Sequence, residues 1–205
     1  MTNSADKVKV AVFVTGGGTN LQAIIDAEKS GVIASAEIVL VVSSRGDAYA
    51  LTRAAKAGIP TVVCERKSYS SQAEFEAAIR AALDEHGVEL IVLAGFMSIL
   101  SADFTSRYPE RIINVHPSLI PLHCGKGYYG LRVHESVLAS GDKVTGATVH
   151  FVNEIPDGGR IIAQKQVAVK EGDTPETLQR RVMEEAEWIL LPQAVESVAR
   201  EIRGL

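Results

Sequence analysis

Short apolar runs rich in β-branched residues alternate along the chain with stretches whose apolar positions recur every three or four residues. Residues 8–14 (VKVAVFV) form the first such run and read as a strand. It ends at Thr15, Gly16, Gly17, Gly18 and Thr19, a loop that glycine makes easy. Residues 20–30 then place Leu21, Ile24, Ile25 and Ala27 at helical spacing, and Gly31 stops them. The pattern repeats as a strand over 36–42, a helix over 48–57 closed by Gly58, and a strand over 60–64. An amphipathic helix follows over 71–86, with Phe75, Ile79, Ala82 and Leu83 on one side and Gly87 at its end. The run 88–93 is nearly all apolar, which predicts a strand buried on both faces.

Strands separated by helical stretches of about 10–15 residues predict βαβ units and a parallel sheet. Ligands of such sheets bind at the carboxyl ends of the strands. That rule marks the loops 15–19, 43–47 and 94–100, and whatever follows the strand over 112–115. The second half differs. A glycine-rich loop covers 117–130, a helix 131–140, and alternating strands 145–152 and 160–169 are joined by 153–159. Asp173 reads as the N-cap of a last long helix toward Arg200, with Glu176 three residues on. No linker or repeat divides the chain. The expectation is one α/β domain over 1–205, with a first half to about residue 110 and a second half from about 111.

Composition narrows the function. Of 205 residues, 46% are hydrophobic and 22% charged, too apolar for disorder. The longest apolar runs, 10–14, 38–42 and 90–97, fall far short of the ~18 residues of a membrane span. The first seven residues lack the basic-then-apolar layout of a signal peptide. A net charge of −4 argues against sequence-independent nucleic-acid binding. Cys64 and Cys124 make neither a disulfide framework nor a zinc spacing. The expectation is a cytoplasmic protein, monomer or homodimer, whose partners are small molecules, with no nucleic acid and no membrane.

Three places carry candidate chemistry. Backbone N–H groups at Gly16, Gly17, Gly18, Thr19 and Asn20, between a strand and a helix, make an anion site. Leu21 stands where a dinucleotide fingerprint needs its third glycine, no acidic residue closes the second strand, and no Walker lysine follows. A turn that uses glycine for packing alone is the other reading. Asn114 and His116 are two apart on one strand, so they project together while Val115 turns to the core. An amide donor beside an imidazole suits oxyanion stabilisation. Asp157, before Gly158 and Gly159, is an ordinary turn residue unless it faces His116, whose pKa it would then raise. His86, His123, His134 and His150 show no metal-ligand spacing, and His150, within a strand, reads as structural. Tyr128 and Tyr129 could cover a flat ligand or form a small cluster of their own.

With those residues in view the chain resembles the folate-dependent formyltransferases, and among them the phosphoribosylglycinamide formyltransferases of purine synthesis. The carriers are TGGGTNLQAIIDA (15–27), IVLAGFMSILS (91–101), INVHPSLIP (113–121), TGATVHFVNEIPDGG (145–159) and EGDTPETL (171–178). The resemblance implies a Rossmann-like formyltransferase fold with a C-terminal antiparallel extension. It implies 10-formyltetrahydrofolate as co-substrate, glycinamide ribonucleotide as acceptor, and no metal. Asn114, His116 and Asp157 would be catalytic. Gly18, Thr19 and Asn20 would bind the nucleotide phosphate. An acidic residue of the last helix would also touch the nucleotide, with Glu184, Glu185 and Glu187 left open and Glu184 and Glu187 preferred. Met97, Ser98, Ile99, Leu100, Asn114, Asn153, Glu154, Ile155, Pro156 and Asp157 would line the folate pocket. Gln72 stands where the motif usually offers an arginine, the loop 124–130 is long, and the spacing from 184–187 to Pro192 is one residue longer than usual. Methionyl-tRNA formyltransferase and formyltetrahydrofolate deformylase are disfavoured by length. A nicotinamide-dependent oxidoreductase and a non-catalytic nucleotide-binding module are the readings from other classes.

Overall fold

A computed structural model describes residues 7–205. The expectation about a leader rests on residues 1–6 and lies outside them. The described elements are β1 (Val8–Val14), α1 (Thr19–Ser30), β2 (Ala36–Ser43), α2 (Tyr49–Ala57), β3 (Thr61–Val63), α3 (Gln72–Glu85), β4 (Leu90–Leu93), α4 (Ala102–Ser106), β5 (Ile112–His116), α5 (Leu131–Ser140), β6 (Val144–Phe151), β7 (Ile161–Ala168), α6 (Pro175–Val182) and α7 (Trp188–Arg203). The seven strands form one sheet in the order β3-β2-β1-β4-β5-β6-β7. β1 to β5 run parallel, and β6 and β7 run antiparallel, as the mainly parallel sheet with an antiparallel extension requires.

Strand periodicity explains the two cores. Val10, Val12 and Val14 of β1 enter one apolar cluster with Leu21 and Ile24 of α1 and Leu191, Val195 and Val198 of α7. Ala11 and Phe13 enter the other with Phe75 and Ile79 of α3 and Phe104 of α4. Successive side chains of a strand leave on opposite faces, so one strand feeds both layers. Among the described residues no helix is long and apolar enough to cross a membrane.

Three local expectations are corrected. The last helical region is capped by Thr174, not Asp173: the Thr174 hydroxyl accepts from the Thr177 N–H, and the Thr177 hydroxyl accepts from the Thr174 N–H. Asp173 instead takes a bidentate bond from Arg181 at 2.6 Å on each arm. Pro175, at the first helical position, leaves no N–H to satisfy there. The long helix is also interrupted, by a wider π turn over Met183–Glu187. Finally α4 was not anticipated; its five residues are too few to show a period, and the signal lay in Ser101, whose hydroxyl accepts from the Phe104 N–H.

Thr174→Ala removes the observed cap. Such losses cost about 1 kcal/mol, or about 2–4 °C in a chain of this size. Differential scanning calorimetry should show that fall; an unchanged melting temperature returns the cap to Asp173.

Candidate active site

The loop after β1 is shaped by its carbonyls. Gly16 O accepts from the Ala50 N–H at 3.1 Å, Gly18 O from the Gln22 N–H at 2.9 Å, and Gly17 O from Arg53 Nε at 2.8 Å. With the oxygens drawn toward α1 and α2, the first N–H groups of α1 face outward, the arrangement that attracts an anion. Gly18 has φ 71°, and a Cβ there would stand 2.6 Å from Ala50 Cβ. Glycine is therefore needed twice, for the left-handed backbone and for the close approach of α2. The Thr15 hydroxyl meets Ser44 Oγ at 2.7 Å and accepts from the Met97 N–H at 2.8 Å, tying together the loops that follow β1, β2 and β4. Between them opens a cleft of about 680 Å³ lined by Thr15, Ser44, Arg45, Arg66, Met97 and Ser98.

Of the acidic candidates on the last helical segment, the π turn brings one to this loop. Asn20 Nδ2 donates to Glu187 Oε2 at 2.7 Å. Burial pushes the Glu187 carboxyl up to about 7, against the downward pull of the Asn20 bond. Glu184 lies apart, on the exposed side, and accepts from Arg180. Gln72 joins the 97–100 loop: it donates to Ile99 O at 2.9 Å and accepts from Arg66 Nε at 2.9 Å. Met97 and Ile99 are exposed, whereas Leu100 packs toward α3. Asn153 Oδ1 accepts from the Ile155 N–H and folds the 153–157 turn, leaving Glu154, Ile155 and Pro156 exposed on it.

At the end of β5 the expected trio does meet. Asn114 lies opposite His150, and His116 opposite Thr148, across the antiparallel ladder to β6. Asp157 sits above both, 3.5 Å from His116 Nδ1 through one oxygen and 3.5 Å from His150 Nε2 through the other. Its backbone is left-handed, φ 54°, and its carboxylate accepts from the Gly125 N–H at 2.8 Å. A Cβ on Gly159 would overlap the Phe151 carbonyl, so the glycine permits the turn.

His150 is the member that sequence reasoning assigned to structure alone. Its Nδ1 lies 2.8 Å from its neighbour's carbonyl, Phe151 O, and so carries the proton. Nε2 is then free to accept from Asn114 Nδ2 at 3.2 Å, which orients that amide. The signal for it was tertiary, the register between β5 and β6. The electrostatic expectation holds for Asp157 itself but leaves out burial. Burial lowers the His116 pKa, and the Asp157 carboxylate raises it by less, so the net shift is downward. Burial alone would raise the Asp157 pKa, but the His150 and His116 rings beside it and the Gly125 N–H together hold it below the usual range. His134, on α5, is fully buried with neither ring nitrogen bonded. Burial, then the nearby His116 charge, push it down to about 4. Among the described residues no group of three or more His, Cys, Asp or Glu is placed to hold a metal ion.

Comparison with known proteins gives a family and several relatives. Residues 8–195 match the formyl transferase family. The phosphoribosylglycinamide formyltransferase of Haemophilus influenzae is 44% identical over 187 residues, 91% of this chain and 85% of that protein. The trifunctional purine biosynthetic protein adenosine-3 of Gallus gallus is 49% identical over 95% of this chain, and the chain spans only 19% of that protein's length. The crystal structure of glycinamide ribonucleotide transformylase 1 from Symbiobacterium toebii superposes with a TM-score of 0.90 at 38% identity, covering 98% of this chain and 92% of that one.

The state of His134 yields a stability test. Its folded pKa, about 4, lies below the ordinary 6.5, so between those values the unfolded chain binds a proton that the folded chain refuses. Stability from this group is whole above pH 6.5 and lost as pH falls toward 4, on the order of 2–3 kcal/mol. Glu187, raised to about 7, gains stability over the same range, so the His134 contribution is the difference between wild type and His134→Phe in melts at pH 7 and pH 5, with the wild type losing more. An equally steep dependence in the variant refutes the assignment.

Proposed function

The chain belongs to the formyl transferase family, and from that premise we propose that it transfers the formyl group of 10-formyltetrahydrofolate to the amine of glycinamide ribonucleotide. The products are formylglycinamide ribonucleotide and tetrahydrofolate, formed without a metal ion. The observation that carries the reading is the convergence of His116 and His150 on Asp157, with Asn114 bonded to His150, at the carboxyl end of β5, the edge of the sheet that also bears the glycine loop. In this reading the half of the chain to about residue 110 holds the nucleotide phosphate, through Gly18, Thr19 and Asn20. The half from about 111 supplies the chemistry and most of the folate pocket. Glu187, bonded to Asn20 beside the phosphate loop, is the acidic residue assigned to the nucleotide in preference to Glu184. The 97–100 loop with Gln72 and the 153–157 loop hold the folate.

The amine attacks the formyl carbon, and the carbonyl electron pair moves to oxygen. The Asn114 amide, oriented by His150, and the protonated His116 ring donate to that oxyanion. As the intermediate collapses, the bond from carbon to folate N10 breaks. The attacking amine loses a proton and N10 gains one, through a water organised by Asp157. Holding both substrates in one cleft removes most of the entropic barrier.

Incubation with 10-formyl-5,8-dideazafolate and glycinamide ribonucleotide, followed by ultraviolet absorbance, should show deformylated folate only when both are present, also after chelator treatment. Folate turnover without the nucleotide, or none with it, refutes the proposal.

Asp157→Asn keeps the shape and removes the charge. The upward pull on His116 disappears, so its pKa falls further below 6.5. The protonated form is lost as pH rises through the pKa, so the variant's rate should decline from a lower pH than the wild type's. At neutral pH kcat should fall by about 10²–10³, with both KM values near normal. Near-normal kcat and an unchanged pH profile would reduce Asp157 to a turn residue.

A further inference from the structure

The loop over 117–130 carries a residue whose side chain and main chain face different neighbours. His123 adopts φ 50°, a left-handed conformation that residues with a Cβ rarely hold without support. Its ring has that support on both nitrogens. Nδ1 lies 2.8 Å from the Ser136 hydroxyl, on α5, and Nε2 lies 2.7 Å from Asp142 Oδ2, just beyond the end of α5. A consistent proton arrangement exists for a neutral ring: Nε2–H donates to Asp142, and Ser136 Oγ–H donates to Nδ1. The Tyr128 ring stands edge-on at 6.4 Å and closes a further side. The carbonyl of the same residue points the other way. His123 O lies 2.9 Å from His116 Nε2, and the Ser118 hydroxyl reaches it at 3.3 Å.

We infer that His123 is a positioning residue for His116, acting through its main-chain carbonyl, and that Ser136 and Asp142 hold that carbonyl in place by clamping the His123 ring. This rests on the reading of His116 given above. A carbonyl oxygen only accepts, so the hydrogen bond fixes a proton on His116 Nε2. Nδ1 is then the nitrogen that gains and loses the working proton, and it is the one that faces Asp157. Around the ring stand Asp157 from the turn after β6, His150 from β6, His134 from α5 and the His123 carbonyl from the loop. Among these the carbonyl is the group bonded to Nε2, so it decides which nitrogen titrates. If the clamp is loosened, the carbonyl is free to turn away, and the proton of the neutral ring can move to Nδ1. That form presents no acceptor to a proton arriving from the Asp157 side.

The ring nitrogens of His116 report this directly in 15N-labelled full-length protein. At pH above its titration, wild-type His116 should show a protonated Nε2 and an unprotonated Nδ1. A wild-type ring protonated on Nδ1 overturns the inference with no variant needed. Ser136→Ala and Asp142→Ala should each give a mixture of the two tautomers. Each should lower kcat about 10- to 100-fold, with both KM values within about twofold. Ser136→Thr keeps the hydroxyl and should restore both readouts. Variants that melt earlier yet keep the wild-type tautomer and kcat show a structural brace only, and overturn the inference. The tautomer measurement needs no turnover, so absence of formyl transfer in the wild type would count against the proposed function while the ring spectra still decide the clamp.

Discussion

Asn114 faces His150 and His116 faces Thr148 across the β5–β6 ladder, and the centre of the site follows from that pairing. Side chains alternate along a strand, so a slip of one residue would send Asn114 and His116 to the opposite layer and bring Ile113 and Val115 in their place. The register is held from both sides. β4 pairs with β5 in parallel, Leu93 against Asn114, and the apolar neighbours of Asn114 are buried in the cores. On the far side β7 comes so close to β6 that a Cβ at Gly146 would overlap the Lys165 carbonyl. The antiparallel direction of β6 carries the chain back toward the start of β5, where Phe151 lies opposite Ile113. Asp157, six residues beyond the end of β6 at Phe151, reaches both imidazoles through the 153–157 turn.

What could be read from the sequence was what is local. Val8 to Val14, the helix stopped by Gly31 and the helix stopped by Gly58 each carry their period and their end signal within a dozen residues, and each formed where expected. The common face of Asn114 and His116 was legible because it needs only the parity of a single strand. His150 was not, because nothing within β6 says which residue of β5 it will oppose. Residue type pointed to Asp173 as the cap, whereas its neighbour Thr174 is the residue that caps. The choice was made by Arg181, two turns away, which takes the Asp173 carboxylate. Glu184 and Glu187 were separable only once a π turn stood in the helix, since the wider turn changes where each successive side chain points. The sign of the His116 shift was out of reach for a different reason. The neighbouring charge could be guessed from residue types, but burial depends on everything packed around the ring.

The electrostatics of the centre fit the proposed reaction through that same burial. One carboxylate faces two imidazoles, and its pKa is held below the usual range, so it stays charged while His116 carries the variable proton. A His116 stabilised only by Asp157 would hold its proton tightly and would donate it poorly. Desolvation weakens that hold and brings the ring nearer to the range in which it can both give and take a proton. The carboxylate and the buried wall thus act in opposition on one nitrogen. A site that must charge an oxyanion donor early in the reaction, and discharge a proton toward the departing folate nitrogen later, requires that opposition: charge alone would fix the proton, and burial alone would expel it.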